Sequence, residues 1–85
     1  SDIEREDLRE FSVLDVGARS GELLREIGKF ARRQKRKSRL CGLELNARSA
    51  QAILEESKDF AEIKSVRANA LTLPFADKSF DYAVS

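Results

Sequence analysis

Two glycines, two side-chain acceptors and one arginine hold most of the chemistry this sequence can offer. In the stretch VLDVGARSG, Val13 to Gly21, an apolar run ends at Asp15, and Gly17 and Gly21 then bracket Arg19. Glycine lets a backbone turn sharply and approach a ligand closely, and a helix that starts there offers it unpaired N–H groups. The same spacing also makes a plain tight turn, and on the loop alone both readings stay open. Glu44 stands at the end of the apolar run LCGLEL, roughly two dozen residues after the loop, where an acid can accept hydrogen bonds from ribose hydroxyls. It can equally be a solvated strand-end carboxylate, or a negative charge at the start of the next helix. Asn69 can set its amide oxygen against an adenine amino group, or be an ordinary loop residue. Asp77, Ser79 and Asp81 read as turn chemistry ahead of a strand rather than as catalytic groups.

Strands and helices must hold these residues. FSVLDV is short, apolar and bounded by glycine, as a buried strand is. GELLREIGKFARRQKRK places Leu23, Leu24, Ile27, Phe30 and Ala31 on one helical face. Ser20 is the expected cap of that helix, and Glu22 suits the positive end of its dipole. Gly28 inside it costs about 1 kcal/mol relative to alanine and is expected to mark a close approach to the sheet. RLCGLEL reads as a second strand. Asn46 is the expected N-cap of a helix over 47–60, with Ala50, Ile53 and Leu54 facing inward. IKSVRA is a third strand, LTLPFADKSF a loop, and DYAVS the start of a fourth strand. The opening decapeptide reads as a short polar helix with Ile3 and Leu8 as weak anchors.

The order β-α-β-α-β-β predicts an α/β fold, half of a doubly wound Rossmann-like parallel sheet. Right-handed crossovers give the spatial order 3-2-1-4, with its topological switch point at the end of strand one, where GARSG sits. Residues 1–10 are read as a polar N-terminal segment and 11–85 as half of a domain truncated after strand four. A parallel sheet that stops there leaves an open edge and a bare face, so the chain is expected to be part of something larger.

Composition narrows the partners. The chain has 85 residues, one domain at most, with 41% hydrophobic and 36% charged residues and a net charge of +1. No global field draws it to nucleic acid or membrane. It has no histidine, the commonest neutral-pH base and metal ligand, and nothing forms a metal site. The single cysteine, Cys41, lies in an apolar run and reads as a small buried hydrophobe. No apolar run approaches the roughly 20 residues of a membrane span, and no signal pattern opens the chain, so a cytoplasmic protein is expected. The basic run ARRQKRKSR, Ala31 to Arg39, lacks aromatics for base stacking and reads as a solvated helix end; nucleic acid is not expected as a partner.

Taken together, the motifs resemble those of the class I S-adenosylmethionine-dependent methyltransferases over nearly the whole chain after the first decapeptide. VLDVGARSG is similar to the family's hydrophobic-hydrophobic-Asp-x-Gly-x-Gly-x-Gly motif, and GLELN to its second-strand end. NALTLPFADKSFDYAVS, the most specific stretch, is similar to the segment DA-x-x-LPF-x-D-x-SFD. The resemblance implies S-adenosylmethionine as cofactor. It implies that Asp15, Gly17 and Gly21 shape the pocket for its methionine part, with Ala18 and Arg19 of the same loop also at the cofactor site, that Glu44 binds the ribose, that Leu45 packs on the adenine, and that Asn69 and Ala70 read the adenine edge. It implies methyl transfer to a small-molecule acceptor, with catalytic residues beyond these 85, which alone are not expected to turn over.

Two positions depart from the pattern. Asn69 stands where aspartate is commoner and can still accept a hydrogen bond. Arg19 replaces the middle glycine, and its side chain can point to solvent, pair with the cofactor carboxylate, or intrude on the site. An inactive relative is therefore one alternative. A nicotinamide-dependent oxidoreductase is another, but G-x-G-x-x-G laid on Gly17 needs glycine at both Arg19 and Glu22.

Overall fold

A computed structural model describes residues 10–69 and 79–84. The expected N-terminal helix, Ala70, the turn at Asp77 and most of the LTLPFADKSF loop lie outside the described residues. The elements are β1 (Phe11–Val16), α1 (Glu22–Arg33), β2 (Ser38–Glu44), α2 (Ala47–Glu56), β3 (Ile63–Arg67) and β4 (Tyr82–Val84). The strands form one parallel sheet in the order β3-β2-β1-β4, the doubly wound order expected from the sequence. Register is set by pairs such as Leu14 with Cys41, Leu43 with Val66, and Leu14 with Ala83.

Alternation along the strands divides the apolar residues between two faces. Val13, Leu40 and Ile63 pack with Leu24 of α1, Ile53 of α2 and Ala18 of the intervening loop. On the other face Leu14, Cys41 and Leu43 are buried, flanked by Val16, Val66, Ala68 and Phe80. Burial pushes the Cys41 thiol pKa above its usual value, so this cysteine packs as a hydrophobe.

Both helices bury a narrower stripe than their patterns offer. In α1 the buried positions are Leu24, Gly28 and Ala31, while Leu23 and Phe30 are half exposed. In α2 Ile53 is fully buried and Leu54 is not. The expected close approach at Gly28 is present: an added Cβ would lie 3.1 Å from the Phe60 ring and 3.4 Å from Leu40 Cδ1.

The helix ends differ from expectation. Ser20 does not cap α1; the N-cap is Gly21, left-handed at φ 86°, with no capping side chain. At the far end the Lys35 N–H donates to Arg32 O and the Arg36 N–H to Ala31 O, with Lys35 at φ 55°. That is a Schellman stop, with lysine at the position glycine usually takes, and it ends the helix before the basic run is over. Asn46 caps α2 as expected, accepting from Ser49 N–H at 2.7 Å. The helix stops at Glu56, where the Ser57 N–H turns back to Leu54 O.

The basic run is partly absorbed into the fold. Arg32 grips Glu62 through two hydrogen bonds of 2.8 and 2.9 Å, and its guanidinium lies 4.4 Å from the Phe60 ring centre. Arg36 covers the Phe11 ring at 4.6 Å. The Arg32 contact holds the Glu62 carboxyl below its usual pKa.

β4 is fastened by Asp81. Its Oδ2 accepts the Ser12 N–H at 2.7 Å and the Ser12 hydroxyl at 3.2 Å, and its own N–H donates to Ser12 Oγ at 2.9 Å. Ser12 is buried, so Asp81→Ala leaves a buried donor unmatched. A loss of about 1–3 kcal/mol is expected in urea unfolding; a change near zero would show that water replaces the carboxylate.

Candidate functional site

The C-terminal ends of β1, β2 and β3 open onto a cleft of about 210 Å³. Val16, Gly17, Leu43, Glu44, Leu45, Ala68 and Asn69 line it. The ladders extend to its floor, with Gly17 N–H donating to Leu43 O and Ala68 N–H to Glu44 O, each at 2.9 Å. The parallel sheet thus delivers a glycine loop, an acid and an asparagine to one edge, at the switch point between β1 and its two neighbours.

The loop from Gly17 to Gly21 is built on positive φ angles, with Gly17 at 75°, Arg19 at 56° and Gly21 at 86°. A Cβ at Gly17 would meet nothing within 4 Å, so the backbone there lies open. Ala18 turns its methyl into the core, 6% exposed, and leaves only its backbone to the cleft side. Arg25 of α1 donates to Ser20 O at 2.5 Å and to the Ser57 hydroxyl at 3.1 Å, tying the loop to the end of α2. Nothing in the sequence pattern marked Arg25, because its partners come from two separate turns.

The Arg19 side chain is exposed and does not line the cleft. A non-glycine residue in the left-handed region costs about 1–2 kcal/mol. Here its N–H donates to Glu44 Oε1. The guanidinium has no hydrogen bond or ion pair among the described residues.

Two carboxylates, Asp15 and Glu44, influence each other electrostatically. Asp15 is 6% exposed and accepts no hydrogen bond among the described residues. Burial, and secondly the charge of Glu44, hold its pKa above the ordinary value. Its oxygens are not among the fully buried, unpartnered side-chain atoms of the described residues; carboxyls with raised pKa values concentrate at functional sites. Glu44 has one oxygen on the loop and the other without a hydrogen bond among the described residues. Leu45 is 68% exposed at the rim, an apolar surface in position to cover a flat ligand.

Of the nine residues expected at the site, Gly17, Glu44, Leu45 and Asn69 line the cleft. Asp15, Ala18, Arg19 and Gly21 do not, and Ala70 lies outside the described residues. Two wider apolar grooves exist, one over Cys41 and Phe80 and one between Phe30 and Tyr82. Neither contains Gly17 or Glu44, so the smaller cleft is the better site.

Sheet order, glycine loop and strand-end acid define the class: a Rossmann-like α/β domain with a glycine loop at its switch point. A family described as "Methyltransferase domain" matches residues 14–85. The chain belongs to the class I S-adenosylmethionine-dependent methyltransferase domain family.

Solved structures agree in fold. An S-adenosylmethionine-dependent methyltransferase from Methanosarcina mazei is 22% identical with a TM-score of 0.74, matching 100% of this chain and 41% of its own. Coclaurine N-methyltransferase bound to N-methylheliamine and SAH is 21% identical with a TM-score of 0.71, over 87% of this chain and 21% of that one. The 23S rRNA methyltransferase ErmE is 26% identical with a TM-score of 0.68, over 95% and 31%. The chain thus spans less than half the length of these structures. A comparison with curated proteins gave no match. Because one neighbour acts on rRNA, the expectation that nucleic acid is not a partner finds no support in the fold. No helix among the described residues is long and apolar enough to cross a membrane.

Proposed function

We propose that this domain binds S-adenosylmethionine in the cleft between the Gly17–Gly21 loop and Glu44, and serves methyl transfer to a small-molecule acceptor. The observation that carries the reading is the convergence at one sheet edge of an open glycine backbone, a carboxylate with an unused oxygen and an exposed leucine. The residues fit the group. Glu44 accepts the ribose hydroxyls, Leu45 covers the adenine, and Asn69 and Ala70 meet its edge. Asp15, Gly17, Gly21 and the Ala18 backbone border the methionine end, with the Arg19 guanidinium near enough in sequence to meet its carboxylate. When bound, the cofactor supplies an electrophilic methyl group on a sulfonium, and the protein's contribution is to orient it.

The small-molecule acceptor is favoured by the LPFADKSFD style of the segment before β4, and a structural neighbour holds N-methylheliamine. In this reading the acceptor-facing groups lie outside these 85 residues, so none here is assigned a proton-transfer role. Calorimetry on the intact protein is expected to show binding of S-adenosylhomocysteine and none of NAD. The reverse preference would replace the reading with a dinucleotide enzyme.

A further inference from the structure

The loop's dihedral angles alternate. Gly17, Arg19 and Gly21 have positive φ, while Ala18 and Ser20 between them do not. The Gly17 N–H is used on Leu43 O and the Gly21 N–H on Ala18 O, each at 2.9 Å. Between them the Arg19 N–H faces an anion of the chain itself, donating to Glu44 Oε1. Arginine gains nothing by itself from the left-handed region, which sterics disfavour for any side chain with a Cβ. Something must hold it there, and among the described residues the Arg19 side chain makes no bond that would. Two backbone bonds do: the Arg19 N–H donates to Glu44 Oε1, and the Gly21 N–H donates to Ala18 O at 2.9 Å and closes the turn over Arg19.

We propose that Glu44 is a positioning residue for the Gly17–Gly21 loop as well as the ribose acceptor, and that through Arg19 it shapes the end of the site that takes the cofactor's amino-acid group. The proposal rests on the cofactor reading above. One side chain then links two ends of one ligand: the oxygen on Arg19 sets the loop, and the second oxygen is left for the ribose. The link depends on the residue at 19. Glycine adopts positive φ unaided, so with glycine there the loop keeps its shape without Glu44. With arginine there, the acid supplies one of the two backbone bonds that hold the left-handed turn.

Two measurements on the intact protein test this. The first needs no ligand. Amide hydrogen exchange at Arg19 is expected to be at least tenfold faster in Glu44→Ala than in wild type, and partly restored in Glu44→Gln, which keeps a carbonyl acceptor. Unchanged exchange overturns the proposal.

The second compares S-adenosylhomocysteine with methylthioadenosine, which shares the adenosine but lacks the amino-acid group. Glu44→Ala removes the ribose contact from both. If Glu44 also sets the loop, the loss for S-adenosylhomocysteine exceeds that for methylthioadenosine by about tenfold, the order of one charge-assisted hydrogen bond. In an Arg19→Gly background that excess shrinks toward unity. Equal losses for both ligands in the Arg19 background mean that Glu44 serves the ribose alone, and overturn the proposal. Failure of wild type to bind either ligand sinks the cofactor reading instead, and the exchange experiment still decides whether Glu44 holds the loop.

Discussion

Gly42→Val is expected to destabilise the fold by about 3 kcal/mol, the upper range for overpacking a core, and to weaken cofactor binding as well. A Cβ at Gly42 would lie 2.8 Å from Ile53 Cδ1, 3.0 Å from Ala18 Cβ and 3.2 Å from Leu24 Cδ1. Real Cβ atoms essentially never come as close as the first of these. Ile53 and Leu24 are fully buried and have no solvent to retreat into. Ala18 belongs to the Gly17–Gly21 loop, which in the cofactor reading borders the ligand. The strain therefore divides between the core and the site. Gly42→Ala is expected to cost less, about 1 kcal/mol, since one methyl forces smaller shifts. Urea unfolding measures the first effect and titration with S-adenosylhomocysteine the second. A valine variant as stable as wild type would mean that the two helices lift from the sheet at little cost. One that loses stability but keeps full affinity would mean that the helices yield and the loop does not.

Gly42 also shows what the sequence hid. Its place in the middle of RLCGLEL gave no reason for a missing side chain, because the reason is three atoms from two helices and a loop. The strands and their order were legible, since apolar runs bounded by polar turns leave few topologies once crossovers are right-handed. Asn46 was legible because its side chain acts on its own helix, three residues on. Ser20 looked equivalent, yet Gly21 took the cap through a left-handed turn that brings the loop under Arg25. Lys35 ended α1 in the conformation that glycine marks in other helices, so the basic run gave no stop signal. Leu23, Phe30 and Leu54 matched a buried pattern but stand outward, because periodicity tells which residues share a face and not how much of it the sheet covers. Glu44 was found by its position at a strand end; its bond to Arg19 was not, because left-handed backbone at an arginine leaves no trace in composition.

Asp15→Asn is expected to divide stability from affinity. The native carboxyl has a pKa raised above 3.8 by burial first and by Glu44 second, so the folded protein holds this proton more tightly than the unfolded chain does. Between the unfolded midpoint and the raised native one, the native state binds more protons and stability falls as pH rises. Above the native midpoint the loss is complete. Asparagine has no such titration. The stability of the variant minus that of wild type should therefore increase from acid to neutral pH. Glu62 runs the other way: its pKa is lowered by the Arg32 hydrogen bond, so its contribution is lost as pH falls through the native midpoint. That contribution is common to both proteins and cancels in the difference. Affinity should move oppositely to stability. In the cofactor reading Asp15 borders the methionine end as an anion, and its neutral replacement is expected to lower S-adenosylhomocysteine affinity about tenfold, the scale of one hydrogen bond to a charged group. A stability difference that shrinks toward neutral pH would mean the native carboxylate is stabilised rather than penalised. Unchanged affinity would mean that Asp15 is strained for some purpose other than the cofactor. Both results together would leave Glu44, with its oxygen on Arg19, as the acid that matters at this edge of the sheet.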